Sequence, residues 1–320
     1  MTRVLVTGAS GFVGRVLCDT LLEAGYAVRA AVRSLDSPRG SQLMERIAVG
    51  DVVDADWKHA LQGVDCIVHA AARVHVDDSR SDANLHQQTN AYATRRLAGA
   101  AVEAGVGKFV YLSSIKVSGE GADGPYRADD EPRPQGAYAD SKLLGEEYAF
   151  QAGTMGGGMD VAVVRSPLVY GPGVRANFLR LMQWVDKGWP LPLGSVDNRR
   201  SLVSIWNLCD LLERVLATPQ AAGSIWMVSD GEDLSTPELV RRIGKCMSRR
   251  VRLVRVPIPV LQVGGALLGR TKEISRLCGS LVVDMSRTRD ELRWSPVVSV
   301  DEALARTCAW FVSEGRTRAP

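Results

Sequence analysis

The chain opens on a short apolar run, Arg3-Val4-Leu5-Val6, that passes directly into Thr7-Gly8-Ala9-Ser10-Gly11-Phe12-Val13-Gly14. A buried strand that turns on glycine into a helix is the first half of a strand–helix–strand unit, which fixes much of what can follow. Each glycine has a mechanical use. Gly8 permits the tight turn, Gly11 lets the backbone approach a pyrophosphate, and Gly14 lets helix and strand pack closely. The helix start adds free N–H groups and a positive dipole end. Ser10, Phe12 and Val13 lie within the same turn and first helical residues and are counted with Gly8, Gly11 and Gly14 as dinucleotide contacts. Glycine turns are common, so the signal comes from the strand, turn and helix occurring in this order.

The pattern then repeats. Apolar runs at Ala27–Val32, Cys66–Ala70, Phe109–Leu112 and Asp160–Arg165 alternate with helical patterns from Gly11 to about Ala24, after Asp56, and near Asn90–Ala104. Continuous Val/Ile/Leu strands separated by helices imply an α/β fold, a Rossmann-type doubly wound parallel sheet covered on both faces, with ligands at the carboxyl ends of the strands. Glu120–Ala137, rich in Gly, Pro and acidic residues, reads as a loop before a helix that carries Tyr138 and Lys142. After Ser166-Pro167-Leu168-Val169-Tyr170 the pattern becomes irregular.

Composition excludes several classes. The net charge of +3 is spread over 39 basic and 36 acidic residues, which gives no global field for nucleic acid. The six cysteines (Cys18, Cys66, Cys209, Cys246, Cys278, Cys308) form no C-x-x-C pair and have no histidine at ligand spacing, so thiols in a reducing compartment are expected and no metal. The N-terminus enters a strand without a basic n-region. The longest near-apolar stretch, Val256–Gly269, contains two prolines and falls short of the roughly 20 residues that span a bilayer. A cytoplasmic protein without an integral membrane segment is expected. A basic cluster from Arg241 to Arg255 just before that stretch is compatible with peripheral contact to an anionic membrane.

Cofactor choice depends on the end of the second strand, where an acidic residue about 20 positions on would bind the 2′-hydroxyl of NAD. The strand instead ends Val32-Arg33-Ser34. A guanidinium offers paired donors to phosphate oxygens, so Arg33 and Ser34 favour NADP(H), while Asp36 keeps NAD(H) open.

Further on stands Tyr138-Ala139-Asp140-Ser141-Lys142, after a strand that ends in Ser113-Ser114. Four residues apart, Tyr138 and Lys142 share a helix face. A phenol with a pKa of ~10 is a poor acid–base catalyst at neutral pH, and a neighbouring ammonium together with the positive charge of the nicotinamide is expected to bring it down. The glycine turn, the strand-end serines and the Tyr-x-x-x-Lys pair, in this order and spacing, resemble the extended short-chain dehydrogenase/reductases, the NAD-dependent epimerase/dehydratase family, over essentially the whole chain. The resemblance implies that Ser114, with Ser113 as the alternative, hydrogen-bonds the substrate oxygen, and that Tyr138 and Lys142 also touch the cofactor. It adds Asp51 and Val52 beside the adenine, Ala70, Ala71 and Ala72 along the cofactor, and Asn90 and Pro167 to the same set. His69 is given no chemistry.

The resemblance further implies a dinucleotide-binding domain of residues 1–166 with about 201–229, and a substrate domain of residues 167–200 with about 230–320. Asn177 and Arg200 occupy positions where relatives bind a nucleotide-sugar diphosphate. Asp284 matches a nucleoside contact or a helix cap, Lys116 and His75 fall near the sugar, and a homodimer is expected. Dehydratases of the family carry an acidic pair after the catalytic serine, where this chain has Ile115 and Lys116. The implied activity is NAD(P)H-dependent reduction of the C4 keto group of a UDP-2-acetamido-2,6-dideoxy-4-hexulose, of the kind that makes UDP-N-acetylquinovosamine or UDP-N-acetylfucosamine for surface polysaccharide. The alternatives are a UDP-sugar 4-epimerase with retained NAD and, from a different class, a non-catalytic NADP-sensing regulator.

Overall fold

The computed structural model describes residues 1–36, 44–74, 80–121, 124–155, 158–267 and 269–316. Its centre is a seven-stranded sheet in the order β3-β2-β1-β4-β5-β6-β9. The strands are β1 (Arg3–Thr7), β2 (Ala27–Val32), β3 (Glu45–Ala48), β4 (Cys66–His69), β5 (Lys108–Ser114) and β6 (Asp160–Ser166), with β9 (Ser224–Met227) at the far edge. Every pairing in it is parallel.

Both faces of the sheet are covered, which is why the strands read as unbroken apolar runs. Side chains alternate across β1: Val4 and Val6 pack with Leu17 and Leu21 of α1 (Phe12–Glu23), and Leu5 packs on the opposite side. The second face is covered through Leu97, Ala98 and Ala101 of α4 (Ala93–Glu103) and Ala149 of α5 (Ala137–Met155). The one-turn α2 (Trp57–Ala60) and α3 (Arg80–His86) precede α4, and a π-helical segment, Gln87–Tyr92, joins α3 to it. Leu208, Leu211 and Leu212 of α7 (Ile205–Ala217) join α1 on the first face.

The remainder forms a second apolar cluster over a small sheet of order β10-β8-β7, made of β7 (Leu168–Tyr170), β8 (Arg200–Ser204) and β10 (Asp233–Leu234). Around it pack α6 (Ala176–Asp186), α8 (Thr236–Cys246), α9 (Ile258–Leu267), α10 (Thr271–Cys278) and α12 (Val300–Trp310), while α11 (Ser286–Leu292) contacts β9.

The order of the large sheet determines where a ligand fits. Strand β1 lies between β2 and β4, so the chain winds outward in both directions from that pair and leaves a crevice beyond their carboxyl ends. The expected strands are present; β3 and the helix over Arg80–His86 were not anticipated. No described helix is long and apolar enough to cross a membrane.

Candidate active site

The crevice between β1 and β4 is built from backbone. Gly8 has φ +67°, and a Cβ there would meet Ala71 Cα at 2.8 Å, so the turn leans on the end of β4. A Cβ on Gly14 would fall 2.1 Å from the Gly8 carbonyl oxygen. Gly11 is the extended residue before α1 and contributes no capping side chain. The first N–H groups of α1, including those of Phe12 and Val13, therefore face the crevice unclaimed by a cap, beside exposed Ser10. This cradle has room for a pyrophosphate where any side chain would fill it, and it fits a dinucleotide cofactor.

Arg33 and Ser34 are exposed just past the end of β2. The Ser34 hydroxyl donates to Asp36 Oδ2 at 3.0 Å and accepts from the Asp36 N–H, a tight local turn that ties the one nearby acid to its own loop. Arg33 has no ion pair among the described residues. Asp51 is exposed and Val52 half-buried beyond β3, with the Asp51 carboxylate accepting from Val53 N–H at 3.1 Å. Ala70 and Ala71 are largely covered at the end of β4 and Ala72 is exposed. Pro167 is buried directly after β6.

Asn90 sits in the π-helical segment with its amide fully engaged. It accepts from Arg73 N–H at 2.8 Å and donates to the Arg73 carbonyl and to Ser141 Oγ, both at 3.0 Å. Its own carbonyl accepts from the Tyr111 hydroxyl at 3.0 Å and from the Thr94 hydroxyl. Asn90 thus braces the end of β4 against α5. His69 is held between the hydroxyls of Thr7 (2.6 Å) and Thr94 (3.0 Å), and burial lowers its pKa to about 3, which keeps the ring neutral.

Tyr138 and Lys142 lie one turn apart on α5, against the end of β5. The helix approaches closely because residue 145 is glycine: a Cβ there would lie 2.3 Å from the Tyr111 hydroxyl. Burial pushes the Tyr138 pKa up, and the neighbouring Ser114 hydroxyl opposes that shift. Lys142 turns toward the strand, donating to the Leu112 carbonyl at 2.7 Å with its Nζ 4.0 Å from the centre of the Tyr111 ring. Desolvation lowers its pKa to about 7, with Glu146 pulling the other way. In this arrangement burial dominates the phenol, and the Lys142 ammonium is directed at the Leu112 carbonyl and the Tyr111 ring.

Sequence reasoning missed the layer behind this cluster. Glu146, one further turn along α5, accepts from the Ser113 hydroxyl at 2.5 Å and from Arg165 Nε and Nη2 at 3.0 and 2.7 Å. Arg165 also donates to Ser118 Oγ at 3.2 Å. Ser113 thus points into the protein, and Ser114 is the strand-end serine beside Tyr138. The signal was available: an arginine closing the apolar run of β6 requires a buried anion, and Glu146 continues the spacing that joins Tyr138 to Lys142. His86, whose Nε2 lies 3.4 Å from Asp82 Oδ2, packs edge-on against the Tyr138 ring at 5.8 Å.

The proposed substrate residues divide between two cavities. Asn177 and Arg200 line one of about 110 Å³ together with Leu168, Arg180, Trp184 and Arg276. Arg200 is held by the carbonyls of Arg276 (2.7 Å) and Gly279 (2.9 Å). Burial lowers its pKa, Glu120 opposes that, and Arg276 adds to it. Lys116 pairs with the same Glu120 at 2.5 Å. Asp284 lines the other cavity, of about 270 Å³; it caps Ser286 N–H at 2.7 Å and pairs with Arg127 at 3.4 Å. Those contacts hold its pKa below the usual carboxylate range. His75 lies outside the described residues.

Known proteins share both sequence and fold with this chain. A UDP-glucose 4-epimerase of Vibrio cholerae is 39% identical over 316 residues, covering 97% of this chain and 95% of the relative. A dTDP-glucose 4,6-dehydratase of Streptomyces griseus is 31% identical, covering 97% and 94%. The solved structure of MoeE5 in complex with UDP-glucose and NAD superposes with a TM-score of 0.80 at 27% identity, covering 97% of this chain and 99% of that one. Residues 4–229 match the NAD dependent epimerase/dehydratase family. With that match spanning most of its length, the chain belongs to the NAD dependent epimerase/dehydratase family.

Proposed function

We propose that the protein is a nucleotide-sugar oxidoreductase acting at C4, and that its net reaction is NAD(P)H-dependent reduction of a UDP-4-keto-6-deoxy-N-acetylhexosamine. The observation that carries the reading is the convergence of Ser114 and Tyr138 on the strand end beside the glycine cradle. The nicotinamide cofactor, when bound in that cradle, supplies the hydride. Tyr138 gives its phenolic proton to the C4 oxygen, and Ser114 holds that oxygen in line. Burial keeps the Tyr138 phenol protonated, the form from which a proton is given in reduction. Ile115 and Lys116 supply no carboxylate for the eliminations of a dehydratase.

Asn177, Arg200 and Arg276 are the proposed diphosphate-binding group, since fixed guanidinium groups match paired phosphate oxygens. Arg33, exposed at the end of β2 with Asp36 tied to Ser34, supports NADP(H) and therefore a cofactor exchanged with the pool. A second reading, 4-epimerisation of a UDP-sugar with retained NAD, is supported by the 39% identity to a UDP-glucose 4-epimerase. Both readings use the same Tyr138. Tyr138→Phe should lower kcat by at least about a hundredfold while cofactor binding persists; an unchanged kcat would remove Tyr138 from the chemistry.

A further inference from the structure

Charge is unevenly distributed along the chain. From Leu239 to Lys272 there are nine Lys and Arg and no Asp or Glu, whereas the remaining sequence holds thirty basic against thirty-six acidic residues. Part of the excess is neutralised: Arg242 pairs with Glu232, Glu238 and Asp301, and Arg249 with Asp186. Arg250, Arg252, Arg255 and Arg270 are exposed and have no ion pair among the described residues. Along the extended segment before α9, exposure alternates, so that Arg250, Arg252 and Val254 face outward while Val251 and Leu253 face inward.

Helix α9 itself is apolar on both sides. Leu261 and Gly265 are buried, and a Cβ at Gly265 would meet Ile274 at 2.7 Å, so α9 is seated closely on α10. On the outward side Val260, Val263 and Leu267 are 58%, 61% and 82% exposed, and their spacing places them in one stripe. A helix on a solvated surface ordinarily carries charge on its outer face. This helix has none along its length, and arginines flank it at both ends.

We infer that α9 and its flanking arginines form a peripheral docking surface for an anionic lipid bilayer, with the Val260–Val263–Leu267 stripe entering the interface and Arg252, Arg255 and Arg270 on the headgroups. Charge selects this occupant over a second copy of the chain. A two-fold contact through α9 would bring the two arginine sets together, whereas an anionic surface complements both the stripe and the cations. Because α9 packs on α10, which contributes Glu273, Arg276 and Leu277 to the Arg200 cavity, the docked surface adjoins the wall of the candidate substrate site.

The test is sedimentation of the full chain with vesicles of phosphatidylcholine, with and without phosphatidylglycerol. Binding is expected only to the anionic vesicles and should weaken with salt. Each flanking arginine is expected to contribute about fivefold, so Arg252→Glu/Arg255→Glu should weaken binding by an order of magnitude or more. Val263→Glu/Leu267→Glu should abolish it with the circular dichroism spectrum unchanged. Absence of binding to anionic vesicles would overturn the inference, as would binding that survives both charge reversals. A fall in mass by light scattering in the Val263→Glu/Leu267→Glu variant would also overturn it, because that would make the stripe a contact between copies of this chain.

Discussion

Replacing Glu146 by glutamine isolates the buried layer behind the proton-transfer cluster. Glu146 and Arg165 are 3% and 1% exposed at their side chains, so neither is screened by water. The carboxylate accepts two bonds from Arg165 and one from Ser113. A glutamine keeps the shape, but its amide can accept through only one atom and turns N–H donors toward Arg165. The guanidinium is left charged, buried and short of an anion, a loss of about 3–5 kcal/mol. In a chain of this size that lowers Tm by on the order of 10 °C. The same change removes the group that raises the Lys142 pKa, so activity requiring the Lys142 ammonium should decline at lower pH than in the parent. Urea and thermal unfolding followed by circular dichroism measure the first effect, and the alkaline limb of kcat/KM the second. Glu146→Leu combined with Arg165→Met should recover most of the stability, because removing both charges leaves neither stranded. A loss below about 1 kcal/mol in Glu146→Gln, or a double variant as unstable as the single one, would refute the reasoning.

Three further outcomes follow from the geometry. Gly14→Ala, whose Cβ would lie 2.1 Å from the Gly8 carbonyl oxygen, should weaken NADPH binding by at least about tenfold in a fluorescence titration, and an unchanged Kd would show that the cradle is not the cofactor site. Lys142 has a folded pKa near 7, below its unfolded value, so as pH falls from about 10 to 7 the unfolded chain takes up a proton that the folded one does not, and stability declines through that window. Lys142→Met should therefore flatten the rise of unfolding free energy between those pH values, and a variant with the parent's slope would contradict the assignment. Arg33→Ala should raise KM for NADPH by about tenfold and leave KM for NADH nearly unchanged, as the removal of a phosphate-binding guanidinium requires; equal effects on both would place Arg33 outside the cofactor site.

The large sheet was legible because its strands are buried on both faces and carry continuous apolar side chains, and because glycines mark the first turn. Strand β3, Glu-Arg-Ile-Ala, lacks that signature because it lies at the sheet edge with its residues partly solvated. Helix α5 shows little apolar periodicity because its buried face carries Ser141, Lys142 and Glu146, each satisfied by a partner on another element. For the same reason Tyr138 and Lys142 were legible by spacing, while the direction of the Lys142 ammonium was not: it follows from the Leu112 carbonyl and the Tyr111 ring, which are distant in sequence. Arg200 and Asn177 could be named only through the family resemblance, and only the fold shows that they share a cavity with Arg180 and Arg276 and that Asp284 lines another.

The central claim is net reduction at C4, and it is tested most directly by supplying purified protein with UDP-4-keto-6-deoxy-N-acetylglucosamine and either NADPH or NADH, following nicotinamide absorbance, and identifying the product sugar by NMR. The account predicts one equivalent of cofactor consumed per 4-hydroxy sugar formed, with NADPH preferred. No cofactor consumption, together with interconversion of UDP-hexose 4-epimers, would contradict it and establish the epimerase.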